Sequence, residues 1–321
     1  MEANISFNST PEQVNYNSTA RLCFESSMCL GFHIVCCVIG TIGILSNGTT
    51  LVVVCKEKRL HTVTYVSISC LALADFVYVS SRVPRDNLQI WYHQRDEFSL
   101  NFMRVCDLLS LSGACSSILH VILLSLLRYV LLVHPLKSHV WLTVTKVKLI
   151  SFMTWLLSVV IASFYLYAVV INGRINVQLA KVTNLAVTVV MSVLPIVLIV
   201  TLHTLKARTL LQSLASCQKS TVRRMSRMVT FIITAFIITT LPSSVADCIK
   251  IAFIESGSSE AQRSWLSVLQ YVGRLGLYIN FSTNPFIYLT TSAQFRKAMT
   301  CQRNVYRSSF SNESNCRTGS F

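Results

Sequence analysis

A carboxylate stands alone in the middle of an apolar run, where Asp75 closes Leu71-Ala-Leu-Ala-Asp75. Two further polar sets lie at the ends of apolar runs: Ser125-Leu-Leu127-Arg128-Tyr129, and Asn280-Phe-Ser-Thr-Asn284-Pro285-Phe-Ile-Tyr288. An ionisable group inside a membrane is expensive and must face a polar cavity or a partner. Asp75 therefore reads either as a functional anion or as a structural carboxyl bonded to Asn47 and Asn284. Pro285 frees a backbone carbonyl, which is tolerated where nearby polar groups re-satisfy the chain. Asn280 and Asn284, one turn apart, are placed to do that. Arg128 at an inner helix end either snorkels to the interface or belongs to a switch. Arg82 lies two turns beyond Asp75 on the same face, about 10 Å along the axis at 1.5 Å per residue. Arginine keeps its charge when partly buried and grips carboxylate or phosphate bidentately, which marks Arg82 as an anion-binding candidate. No catalytic residue and no enzyme activity are expected.

Helices must position these groups. The chain has 321 residues, 52% hydrophobic and only 13% charged, with a mean hydropathy of +0.55. Soluble domains carry about 25% charged residues, so the composition belongs to a membrane protein. Apolar windows of membrane-crossing length centre near residues 30–54, 64–84, 105–133, 149–171, 183–205, 228–254 and 265–289. With the N-terminus outside, 18 of the 28 basic residues fall on inner segments, against the acids Glu57 and Glu313. That asymmetry is the positive-inside rule. The net charge of +15 therefore needs no nucleic-acid partner. The basic third inner loop, Lys206 to Arg227, suits contact with membrane lipid.

Residues 1–29 read as an extracellular arm with glycosylation sequons at Asn4, Asn8 and Asn17. Residues 30–289 form the helical bundle, and 290–321 a short amphipathic basic helix and a cytoplasmic tail. Cys301 follows that helix as a palmitoylation candidate. Cys36, Cys37, Cys55, Cys70, Cys115 and Cys248 lie in or beside apolar spans as packing residues, while Cys23, Cys29 and Cys106 are outer-side thiols. Cys106 is open to pairing with Cys23 or Cys29, or to remaining free.

N-P-x-x-Y at the end of the last apolar span, followed at once by a basic amphipathic segment, resembles the seventh helix and helix 8 of a rhodopsin-like G-protein-coupled receptor. Arg128-Tyr129 with His134-Pro-Leu-Lys137 resembles the family's D-R-Y and second inner loop, and Trp155 is the aromatic of its fourth helix. The resemblance covers residues 30–301. It implies an all-α, seven-transmembrane bundle in the plasma membrane, an extracellular ligand and a heterotrimeric G protein. It also implies a receptor kinase and arrestin acting on a serine-rich tail. By the same resemblance Asp75, Ser117, Asn280 and Asn284 hold a sodium ion, and the chain requires no other cofactor or metal. Ile118, Pro195 and Phe236 match the family's switch beneath the ligand pocket, with Arg128 and Tyr288 at its inner end.

The chain departs from the family at several points. Leu127 stands in place of the acid before Arg128, Thr240 where C-W-x-P has tryptophan, His203 where a tyrosine is usual, and Phe281 where a serine is frequent. The second outer loop, near 172–182, has no cysteine for the usual bridge. A non-signalling or scaffolding receptor is the rival reading that these departures raise.

Ser110 falls where amine receptors carry an aspartate, so a biogenic amine is not expected. A peptide is favoured, with a lipid or carboxylate as the alternative. The resemblance places Arg274 in the ligand cavity, so Arg274 and then Arg82 are the expected anchors for an anionic group, with Ser110, Lys250 and Asp247 around them. Internal pairing is the competing role for Arg82 with Asp86 and for Asp247 with Lys250, at helical spacings. Without an acid beside Arg128, the population shifts toward the active state. Ligand-free signalling is therefore expected, and Leu127→Asp should lower it. Basal signalling that is unchanged or raised in this variant would show that the missing acid does not set the balance.

Overall fold

The computed structural model describes residues 27–91, 96–134, 137–138, 141–171, 176–213, 234, 237–246, 249 and 260–299. The architecture is an all-α seven-helix membrane bundle. The first four helices are Ser27–Lys56, Val63–Trp91, Glu97–Val133 and Val144–Tyr165. The fifth runs as Val177–Thr188, a π turn Val189–Val193, and Leu194–Ser213. The sixth is represented by Ile237–Ala246 and the seventh is Glu260–Thr291. Residues 293–299 form a further short helix on the inner side. Among the described residues, the first five are long and apolar enough to cross a membrane. The seventh is less apolar because it carries the polar residues of the site.

Local chemistry sets the helix ends. Asp96 caps the third helix by accepting the Ser99 backbone N–H at 2.9 Å, and that bond holds its carboxyl below the usual carboxylate range. Thr143 and Asn176 cap the fourth and fifth helices in the same way. The second helix continues through Pro84 to Trp91, and the seventh through Pro285 to Thr291. The π turn of the fifth helix lies just before Pro195, where the missing N–H interrupts the ordinary ladder.

Small residues let the helices that carry the site approach closely. A Cβ at Gly113 would lie 2.9 Å from the Tyr78 backbone nitrogen, so the third helix meets the second almost backbone to backbone there. Gly273, just before Arg274, would place a Cβ 2.7 Å from the Ser243 Cα. This contact brings the seventh helix against the sixth. Large apolar side chains of the fourth helix, among them Phe152, Val160 and Phe164, face outward as a lipid-contacting surface.

The core is thickest at the inner end. Val53, Val54, Leu60, Ile68, Leu71, Leu124, Ile199, Tyr288 and Phe295 pack into one apolar cluster. Leu60, in a short 3₁₀ turn after the first helix, is fully buried in it. Cys106 is a buried, free thiol. Of the two alternatives open for it, the structure shows the unpaired thiol; Cys23 and the side chain of Cys29 lie outside the described residues.

Candidate functional site

Pro285 lacks an N–H, so the carbonyl four residues earlier, that of Phe281, loses its helical partner. Asn47 from the first helix takes it, its Nδ2 donating to Phe281 O at 2.8 Å and to Gly43 O at 3.0 Å. This corrects the expectation that Asn280 and Asn284 satisfy the kink. The asparagine that does so comes from another helix, because Gly43 meets Ser282 and closes the gap. Ser282 Oγ also donates to Ile39 O at 3.1 Å.

Asn284 is engaged elsewhere. Asp75 is fully buried, and one carboxylate oxygen accepts the Ser117 hydroxyl at 2.6 Å while the other accepts Asn284 Nδ2 at 2.7 Å. The second, third and seventh helices thus converge on one carboxylate. Asn280 is buried one turn before Asn284. Phe281 stacks on Tyr78 with ring centroids 3.8 Å apart. Asn47 Oδ1 has no hydrogen-bond partner among the described residues. A carboxylate with hydroxyl and amide oxygens is the donor set that a hard cation prefers.

Toward the outer side a cavity of about 560 Å³ opens between the helices. Arg82, Ser110, Ile118 and Arg274 all line it, so four residues chosen from the sequence share one chamber. Its charges are arranged unequally. Asp86, almost fully buried, accepts Arg82 Nε at 3.2 Å, Arg85 Nη1 at 3.3 Å and the Tyr278 hydroxyl at 3.1 Å. Asp107 accepts Arg85 Nε at 2.8 Å and has Arg82 Nη1 at 3.7 Å. Arg85 also donates to Gln89. Arg82 is therefore internally paired. Arg274 feels the charge of Asp86, but among the described residues it makes no ion pair within 4.0 Å. Three arginines face two aspartates. The Ser110 hydroxyl is turned back onto the Asp107 carbonyl at 3.2 Å.

The parts of this network that sequence reasoning missed are Arg85–Asp107 and Tyr278–Asp86. One signal was present: Asp86 lies eleven residues after Asp75, three helical turns along the same face.

At the inner end Arg128 is mostly buried, with Nε unpartnered among the described residues. Leu127 is buried against Val66, Leu123 and Val147, so the position that lacks an acid has become an apolar contact between helices. Tyr288 is fully buried, edge-on to Phe295 at 6.1 Å, and its hydroxyl has no partner among the described residues. Tyr65 OH bonds Ser292 Oγ at 2.7 Å, and Ser292 Oγ accepts the Phe295 N–H, which pins the start of the inner helix. Pro195 is buried and Ile118 reaches the cavity floor. Phe236, Lys250, Asp247, Asn4, Asn8, Asn17 and Cys301 lie outside the described residues.

A helical membrane bundle with a buried carboxylate at its centre and a polar outer chamber is the framework of a seven-helix receptor. Residues 46–288 match the family described as 7 transmembrane receptor (rhodopsin family), and the chain belongs to it. It is a multi-pass membrane receptor and not an enzyme. It is 23% identical to human growth hormone secretagogue receptor type 1, across 92% of this chain and 87% of that protein. The rabbit (Oryctolagus cuniculus) receptor of the same name is 24% identical over 86% of this chain and 81% of its own length. The Drosophila melanogaster pyrokinin-1 receptor is 25% identical over 37% of this chain and 28% of its own.

Removing the donor to Phe281 isolates the Asn47 contact. Asn47→Leu leaves a buried acceptor unpaired, at a cost of about 1–3 kcal/mol. The thermal midpoint of the solubilised receptor should fall accordingly. A midpoint equal to that of the parent would show that another donor serves this carbonyl.

Proposed function

We propose that this receptor sits in the plasma membrane with its N-terminal arm outside and binds an extracellular ligand bearing an anionic group. A peptide with an acidic side chain or C-terminus is favoured, and a lipid or carboxylate is the alternative. The observation that carries the reading is Arg274, a base in the outer cavity without an ion-pair partner among the described residues, where Arg82 and Arg85 are already bound to Asp86 and Asp107. A partly buried guanidinium in that setting gains most from an incoming carboxylate or phosphate. The similar receptors, named for a growth hormone secretagogue and a pyrokinin, support a signalling ligand from outside the cell.

In the same proposal, Asn4, Asn8 and Asn17 carry glycans and Cys301 a palmitoyl chain. The tail serves a receptor kinase and arrestin, and the basic inner segments contact membrane lipid. Ligand binding is read out through the Ile118 and Pro195 region to a heterotrimeric G protein. A scaffold that does not signal is the alternative, raised by the apolar contact that Leu127 makes where the family has an acid. G-protein activation in cells exposed to tissue extract separates the two.

Asp75, Ser117, Asn280 and Asn284 make up a proposed sodium site. Its support is the fully buried carboxylate and the convergence of three helices on it. Asp75→Asn should abolish any difference in agonist affinity between sodium chloride and an organic-cation chloride of equal ionic strength. A sodium effect that survives the substitution removes Asp75 from the site.

For the ligand pocket, Arg274→Ala should raise the half-maximal agonist concentration by about tenfold or more, the loss of one charge-assisted bond, while surface expression holds. Arg82→Ala should instead reduce expression, because it strips Asp86 of its closest cation. A cationic agonist, or an Arg274→Ala receptor of unchanged potency, would overturn the anion-binding reading.

A further inference from the structure

The charges of the outer chamber are all on one side. Arg82, Arg85, Asp107 and Arg274 come from the second, third and seventh helices, and among the described residues the lining of the fourth, fifth and sixth carries no charge. On the uncharged side Tyr165 and Asn184 form a polar pair, the Tyr165 hydroxyl donating to Asn184 Oδ1 at 3.2 Å. Taking Arg274 as the anchor of the anionic end, as proposed for this chamber, we infer that Asn184 is a second recognition residue. It donates through its amide nitrogen to a neutral carbonyl of the ligand, which makes the ligand a peptide-like acid and not an acyl-chain lipid.

Helical spacing aims Asn184 at the ligand. Asn184, Val187, Thr188 and Met191 follow one another at i, i+3, i+4 and i+7, and all four line the chamber. Thr188 and Met191 are buried, whereas Leu185, Val189 and Val190 on the other face are exposed. Asn184 is therefore half-buried in the chamber wall and does not face lipid. Its oxygen is taken by Tyr165, and its N–H groups have no hydrogen-bond partner among the described residues. Tyr165 is the last residue of the fourth helix, so the amide is held from a neighbouring helix. Donors oriented in this way face a cavity of about 560 Å³.

Ligand chemistry follows from what each candidate does to those donors. In a hydrated chamber, water serves them. An acyl chain drives that water out and offers no acceptor, which leaves a polar group buried and unpaired. A peptide carbonyl replaces the water with a direct bond. A site built to hydrogen-bond its ligand strongly rejects an analogue that lacks the group. Leu166, Val187 and Met191 on the same side offer apolar contacts to a side chain. A peptide acid thus places its carboxylate at Arg274 and a carbonyl at Asn184, whereas a fatty acid meets only the first.

Purified full-length receptor is tested by thermal shift with three probes: pooled N-acetylated tripeptides with free C-termini, the same peptides as C-terminal amides, and decanoic acid. Stabilisation is expected from the peptide acids and not from decanoic acid. The tightest-binding peptide acid should lose about tenfold or more in affinity for Asn184→Leu. Its analogue with one peptide bond replaced by an alkene of the same shape should lose as much toward the unaltered receptor. The two losses should not add, because both delete one hydrogen bond; a purely structural role of Asn184 would make them add. Should Asn184→Leu not be recovered folded, Asn184→Asp, which keeps the shape and removes the donors, takes its place. Peptide amides that bind as tightly as the acids would remove the Arg274 anchor, while a non-additive cycle would still uphold Asn184. Decanoic acid binding that Arg274→Ala abolishes would keep the anion anchor and overturn the carbonyl partner. Losses that add, or no stabilisation by any tripeptide acid, would overturn it equally.

Discussion

The bundle depends on how one backbone carbonyl is satisfied. Pro285 removes the partner of Phe281 O at membrane depth, where water is not at hand to replace it. Asn47 supplies the bond at 2.8 Å from the first helix. The contact holds the two ends of the bundle together, since the first and seventh helices are the farthest apart in sequence. It also frees Asn284 to turn toward Asp75. The polar centre is thus two linked arrangements: a carbonyl served by the first helix, and a carboxylate served by the third and seventh.

The outer chamber follows from a different economy of charge. Buried ions must be paired, because leaving one alone in a low-dielectric interior is strongly unfavourable. Asp86 is met by Arg82, Arg85 and Tyr278, and Asp107 by Arg85 and Arg82, so these four charges form a closed network. Arg274 is adjacent to that network but not bonded within it. Its charge is left without an ion pair among the described residues, while Arg82, Arg85 and Asp107 of the network line the same chamber. The Gly273 contact with Ser243 lets the backbone beside Arg274 come close to the sixth helix.

The inner end is organised by apolar packing. Leu127 joins Val66, Leu123 and Val147, and Tyr288 is enclosed with Leu71, Leu124 and Phe295. The arginine between them is shielded from solvent without an acid at its side. Any motion that exposes Arg128 must therefore open hydrophobic contacts.

Much of this was legible in the residues themselves. Seven apolar windows, the sidedness of the basic residues and N-P-x-x-Y at the last span were enough to read a seven-helix membrane receptor, because hydrophobic length and charge asymmetry act locally along the chain. Asp75, Ser117 and Asn284 were chosen together and do meet, since intramembrane polar groups must find one another. Tertiary structure alone decided which partner each group takes. That Asn47 and not Asn284 serves the kink depends on the Gly43–Ser282 approach of the first and seventh helices. The Arg82–Asp86 pair was legible as an i,i+4 spacing on one helix, but that Asp107 joins Arg85 and Arg82, and not Arg274, depends on how the third helix lies against the second. Cys37, read from its apolar surroundings as a packing residue, meets His33 and Asn87 only once two helices lie side by side. Helical periodicity tells which face a residue occupies. It does not tell how far one helix has slid or turned against the next, and hydrogen bonds and ion pairs are selected at that scale.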